Sequence, residues 1–164
     1  MHDFADIYDR YFSRVYNYAR YRVGDAAAAD DVVSRVFEKA LDRLDSFDPR
    51  RGLIDAWLFA IARSAVADHF RERRPPGPSV DEAESLPDGE PRIEEGLERD
   101  ESARGLLRAL DGLDARSREL LALRFGARMT SRAIAAQTGL SESNVGVIIH
   151  RAVRSLHAVL EKKT

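Results

Sequence analysis

Residues 131–156 constrain this chain more than any other stretch, because they fit two short helices crossing over a tight turn. Ala135 is small where the helices must approach closely, and Gly139 stands where the turn needs a positive φ. Ser141 can cap the second helix, and Val145 and Ile148 fall on the face that returns to a core. This is helix-turn-helix spacing. A unit of that shape sets its second helix into a DNA major groove, so nucleic acid becomes the default partner.

Net charge looks unfavourable for that role, at −2 over 164 residues. The average conceals three parts. Residues 1–74 are neutral, residues 75–101 carry −8, and residues 102–164 carry +6. The C-terminal part is therefore basic, with its charge masked by an acidic insert. Residues 75–96 are rich in Pro, Gly, Asp, Glu and Ser and hold few large apolar side chains, which reads as a flexible linker. Such an insert can act as a solubilising spacer, shield the basic part from random DNA, or lie in a basic channel of a large partner as a nucleic-acid mimic.

Helical periodicity fills both flanks. Phe4, Ile7, Tyr8, Tyr11, Phe12, Val15, Tyr16 and Ala19 make one amphipathic helix ending near Gly24. Asp25 caps a second helix with the stripe Val32, Val33, Val36, Phe37, Ala40, Leu41 and Leu44. Residues 46–52 read as a loop broken by Pro49 and Gly52. A third helix runs from about Ile54 to Arg73, and Pro75 and Pro76 stop it. Beyond the linker, Leu106, Leu107, Leu110 and Leu113 form one stripe and Leu120, Leu121 and Phe125 another. No strand pattern is present, so the expected architecture is all-α. Two small helical domains, residues 1–74 and 101–164, are joined by an acidic linker at 75–100.

Three segments carry candidate function. The second helix is more apolar than one packing face needs; its Asp30, Asp31, Arg35 and Lys39 border either a solvated edge or a ridge for a partner. In the loop and third helix, Arg50, Arg51, Arg63, His69, Arg71, Arg73 and Arg74 interleave with Trp57, Phe59 and Phe70. Cations for phosphates beside aromatics for bases is the mixture that holds single strands. Equally, Trp57 lies on the apolar stripe, and Arg71, Arg73 and Arg74 complement a helix C-terminus. On the last helix, Glu142, Ser143, Asn144 and Val147 lie early enough to reach base edges, whereas His150, Arg151 and Arg154, with Arg132 on the preceding helix, suit phosphates. Asn144 either pairs with adenine, a contact giving about 1–3 kcal/mol of discrimination, or assists the Ser141 cap. Gly146 costs roughly 1 kcal/mol inside a helix, which close approach to DNA backbone or close helix packing would explain.

Taken in order, these pieces resemble a bacterial RNA polymerase sigma factor of the extracytoplasmic-function (ECF) group, over nearly the whole chain. Residues 25–41 are similar to the family's helix that grips the polymerase β′ clamp. Residues 47–52 and 56–63 are similar to its −10 reading and strand-opening segment. Residues 110–156, including His150, Arg151 and Ala152, are similar to its −35 reading domain. The resemblance implies that Asp30, Asp31, Val33, Arg35, Val36 and Phe37 help hold core polymerase. It implies that the loop from Asp48 to Asp55, with Arg50, Arg51 and Gly52, receives an extruded −10 base, a flip costing a few kcal/mol, while Arg63, Arg71, Arg73 and Arg74 steer the strand. Ser141, Glu142, Ser143, Asn144, Val147, Arg151 and Arg154 would read or position the −35 duplex. The chain departs from the family at Ser64, where Asn is common, and at Gly146, Val147, Ile148 and Ile149, where Lys, Ser or Arg is frequent. Readout at −35 is thus expected to lean on shape and backbone contacts.

The implied partners are the β′ and β subunits of core polymerase, promoter DNA and an anti-sigma factor clamping the apolar flanks of both domains. Weak binding of the free protein to duplex promoter DNA is expected. The competing reading of the residues is an autonomous helix-turn-helix regulator whose N-terminal helices sense a ligand or dimerise; it would need a palindromic operator. Enzymatic function is not expected: no nucleophile–base arrangement, phosphate-cradling glycine loop or paired carboxylates stand out. Neither is a cofactor or a metal, because the chain has no cysteine and its four histidines lack ligand spacing. With no signal peptide and no membrane-spanning run, a cytoplasmic location is expected.

Overall fold

The computed structural model describes residues 3–73 and 97–162, all of whose regular structure is helical. The acidic segment at 74–96, and with it Arg74, lies outside the described residues. The N-terminal half is a three-helix unit: α1 (Phe4–Val23), α2 (Ala26–Arg43) and α3 (Ile54–Arg73). Local chemistry sets the boundaries. Gly24, at φ 73°, ends α1 by returning its N–H to the Arg20 carbonyl at 2.8 Å. Asp25 follows in extended backbone, and its carboxylate accepts the Ala28 N–H at 3.1 Å, capping α2. A 3-10 turn, Leu44–Ser46, closes α2 and leads into the loop before α3.

The C-terminal half holds α4 (Leu97–Asp111), α5 (Ala115–Leu121), α6 (Ser131–Thr138) and α7 (Glu142–Lys162). Helix α4 thus begins before residue 100, inside the stretch that charge assigns to the linker. Helix α5 runs on into a π-helical turn, Ala122–Gly126. The wider turn shifts the register, and Phe125, expected on the buried stripe with Leu121, is 49% exposed instead. Leu41, expected on the α2 stripe, is also exposed.

The two helical halves pack against each other. Val15, Tyr18 and Phe59 from the first half belong to the same buried cluster as Leu120, Leu123, Ala127, Met129, Ile134 and Val145 from the second. Tyr18 and Phe59 meet edge to face at 6.2 Å. A smaller cluster, Leu110, Leu121 and Ala152 with Leu106, Leu107, Leu113, Ile149 and Leu156 around it, ties α4 and α5 to α7. The π turn lies directly on α1. A Cβ on Gly126 would stand 2.8 Å from the Tyr18 backbone nitrogen, so glycine is what permits this approach.

Candidate nucleic-acid interface

The α6–turn–α7 unit is built by caps at each joint. Thr130 Oγ1 accepts the Ala133 N–H at 3.1 Å and starts α6. Gly139, at φ 82°, ends it, with its N–H bonded to the Ala135 carbonyl. Ser141 Oγ accepts the Asn144 N–H at 3.0 Å and starts α7. Val145 is fully buried and Ile148 packs partly against the core, which fixes the rotation of α7. The opposite edge is presented outward: Arg132, Ser141, Glu142, Ser143, Asn144, Val147, His150, Arg151 and Arg154 are all exposed. The Asn144 side chain makes no hydrogen bond among the described residues; only its backbone serves the cap. Gly146 has nothing within 4 Å of where a Cβ would stand, which removes close helix packing as its reason. Beside it, Arg124 donates to Ser131 Oγ at 3.1 Å on the rim of a shallow groove bounded by Gly146, Ile149 and His150. Arg124 extends the cationic edge, and nothing in the local pattern singles it out.

In the first half, the loop before α3 is held by Asp48. Its carboxylate accepts the Arg50 N–H at 2.9 Å and its carbonyl accepts the Arg51 N–H at 2.9 Å. Arg50, Arg51 and Gly52 stand exposed beside Leu53, which is 74% exposed. Trp57 is half-buried against Phe47 at 5.2 Å, which favours the packing role over a base platform. Phe59, grouped with the cations by sequence, is fully buried and offers no surface to a base. Asp55 is occupied within the fold: the Tyr11 hydroxyl donates to it, and Arg14 pairs with it at 3.4 Å. Arg71 leans on Asp68 at 2.8 Å, and Arg73 is exposed.

Arg63 stands apart from this group. Its Nε donates to Glu119 on α5 at 2.7 Å and its Nη1 to the Gln137 carbonyl on α6 at 2.8 Å. Glu119 also accepts from Arg22 Nε at 2.7 Å and from the Tyr18 hydroxyl at 2.9 and 3.1 Å. Burial, and next the Glu119 charge, push the Tyr18 hydroxyl well above its usual range. This hub escapes sequence reasoning. Its single hint is that Glu119 is the one acid between Asp114 and Glu142 in a basic half.

On α2, Asp30 and Asp31 are exposed and Arg35 forks onto Glu72 of α3 at 2.9 and 3.2 Å. That hydrogen bonding holds the Arg35 guanidinium above its ordinary range. Val33, Val36 and Phe37 are buried, Val36 completely. They orient the helix and present no contact surface in this state. The surplus apolar face of α2 is spent on packing between α1 and α3.

Fold and surface together define a two-part, all-helical protein carrying a helix-turn-helix. Residues 7–75 match the family model of Sigma-70 region 2, and residues 109–158 match that of Sigma-70 region 4. The RNA polymerase sigma factor CnrH of Cupriavidus metallidurans is 36% identical over 141 residues, covering 80% of this chain and 73% of that protein. The ECF RNA polymerase sigma factor BldN of Streptomyces coelicolor is 35% identical over 162 residues, 96% of this chain, and the match spans 60% of BldN. The solved structure of CnrH with the cytosolic domain of CnrY matches at a TM-score of 0.72 and 30% identity, over 98% of this chain and 89% of that one. RpoE of Bartonella quintana, solved with the anti-sigma factor NepR, shares the fold at a TM-score of 0.71 and 20% identity, over 97% of both chains. This chain belongs to the sigma-70 family of RNA polymerase sigma factors, in its ECF group.

Proposed function

We propose that the chain binds bacterial core RNA polymerase, recognises −35 and −10 promoter elements, and promotes strand opening at the start of transcription, without catalysing a reaction itself. The observation that carries this reading is the recognition edge of α7, capped, rotated by Val145 and exposed along its length. Residues 101–164 are its −35 part. Glu142, Ser143, Asn144 and Val147 face bases, with Ser141 setting the start of the helix, and Arg132, His150, Arg151 and Arg154 face phosphates. Residues 1–74 are its polymerase and −10 part, joined by the acidic linker at 75–100. Asp30, Asp31 and Arg35 meet core polymerase, over a helix rotated by Val33, Val36 and Phe37. Asp48, Arg50, Arg51, Gly52 and Asp55 form the receiving loop, and Arg63, Arg71, Arg73 and Arg74 steer the strand.

No described helix is long and apolar enough to cross a membrane, consistent with work in the cytoplasm. An anti-sigma factor is a further expected partner, as NepR is for its solved relative. The test is transcription in vitro with core polymerase and pooled genomic promoter fragments. Discrete start sites sharing two upstream elements, absent without the protein, are expected. No transcription and no co-elution with core polymerase would leave an autonomous DNA-binding regulator instead.

A further inference from the structure

We propose that Val147 reads a thymine through its 5-methyl group, so that the −35 element of this protein carries a thymine facing the middle of the α7 edge. The inference rests on the reading of that edge as the −35 contact and names a base for it. Val147 is 45% exposed. Residues three and four apart share one helix face, so its neighbours on that face are Ser143 and Asn144 before it and His150 and Arg151 after it. All four are polar and exposed. An apolar side chain isolated among polar ones does not suit a protein partner, which docks on a contiguous apolar patch.

Packing does not explain the residue either. The adjacent Gly146 has nothing within 4 Å of where a Cβ would stand, so the flank beside Val147 lies open. Valine and glycine are both poor helix formers, and here they stand side by side facing solvent. A turn that served helix stability alone would hold Ala, Glu or Lys there. The major groove supplies a counterpart. Its base edges present hydrogen-bond donors and acceptors throughout and one apolar group, the thymine 5-methyl. A hydrocarbon on a recognition edge gains from that group and from no other base edge. Valine is stiff at χ1 in a helix, so its methyls hold one position and can select one base. Asn144 lies one turn away, about 5–6 Å between Cβ atoms, against a rise of about 3.4 Å per base. The thymine therefore falls within two base pairs of the adenine that Asn144 would read.

The test uses holoenzyme and a promoter found by the transcription assay. Each thymine of its −35 element, in either strand, is replaced singly by deoxyuridine, which removes the methyl and keeps every hydrogen-bonding group. One replacement should weaken holoenzyme binding about fourfold, as expected for one buried methyl group, and the others should not. Val147→Ala should bind the thymine and uracil forms of that promoter equally. Val159→Ala, which shortens another exposed valine of α7, should still tell them apart. A −35 element with no uracil-sensitive thymine would overturn the methyl contact. A uracil penalty that survives in Val147→Ala would also overturn it, by assigning the methyl to another side chain. A sensitive thymine more than two base pairs from the position relaxed by Asn144→Ala would overturn the register. Failure of the −35 reading itself looks different: scrambling the whole element would then leave binding and start sites unchanged.

Discussion

Two glycines within helical turns of the same half are there for opposite reasons. Gly126 lies against α1, where an added Cβ would approach the Tyr18 backbone to 2.8 Å, and backbone cannot move aside as a flexible side chain can. Gly146 faces open space on the recognition edge of α7. Packing gives Gly146 no excuse for its poor helix propensity. Gly146→Ala should therefore stabilise the fold by about 0.5–1 kcal/mol, seen as a raised midpoint in denaturant unfolding. If the gap exists for DNA backbone, the same variant should lose −35-dependent transcription while it gains stability. Equal transcription would mean the gap serves nothing on the DNA. The neighbouring Asn144 is tested by Asn144→Ala. Discrimination at a single −35 position should fall by about 1–3 kcal/mol, read from transcription of a promoter series varied base by base, and stability should hold because only the backbone N–H serves the cap.

Elements were legible where their signals are local. Gly24 and Asp25 end one helix and begin the next through bonds spanning four residues at most, and α3 runs over Ile54–Arg73 as its periodicity and the prolines beyond it imply. The Gly139 turn and Ser141 cap form as the spacing predicts. Legibility fails where a neighbour, not the sequence nearby, decides. Phe125 follows Leu121 by four residues, which in an α-helix means the same face; the π turn breaks that rule and turns Phe125 outward. Phe59 sits among arginines in sequence yet is buried, because α3 is packed by α1 and α2 on some sides and α6 on another. The surplus apolar residues of α2 suit either a partner or a sandwiched helix, and burial of Val33, Val36 and Phe37 shows packing. At the helix start, Ser141→Ala should cost about 1 kcal/mol. Because α7 carries the proposed contacts from its first turn, duplex binding should fall with it. Unfolding and gel-shift measurements with holoenzyme together check both effects, and a stability loss with undiminished binding would separate the cap from recognition.

At the scale of the whole molecule, the seam between halves is the feature that sequence could not supply. Tyr18, Arg22 and Arg63 meet Glu119 across 101, 97 and 56 positions of chain, with no periodicity linking them. The sequence groups Arg63 with the cations of the loop and third helix; in the fold its guanidinium bonds to the second half. Tyr18 gives this seam a pH signature. The hydroxyl is raised above its ordinary value by burial first and by Glu119 next, against the lowering pull of Arg22 and Arg63. A folded state that holds a proton more tightly than the unfolded chain is favoured wherever that proton is bound. The stabilising contribution of neutral Tyr18 is therefore complete below the unfolded value of 10.0 and is lost as pH climbs from there towards the raised folded value. Tyr18→Phe removes the hydroxyl and with it this dependence, at the cost of its two bonds to Glu119. Unfolding free energies across the alkaline range should show the parent protein falling more steeply above pH 10 than Tyr18→Phe. Parallel stability curves would mean that folding does not raise the Tyr18 hydroxyl, and the alkaline loss would then belong to Tyr11 or Tyr21, whose hydroxyls are also raised by burial.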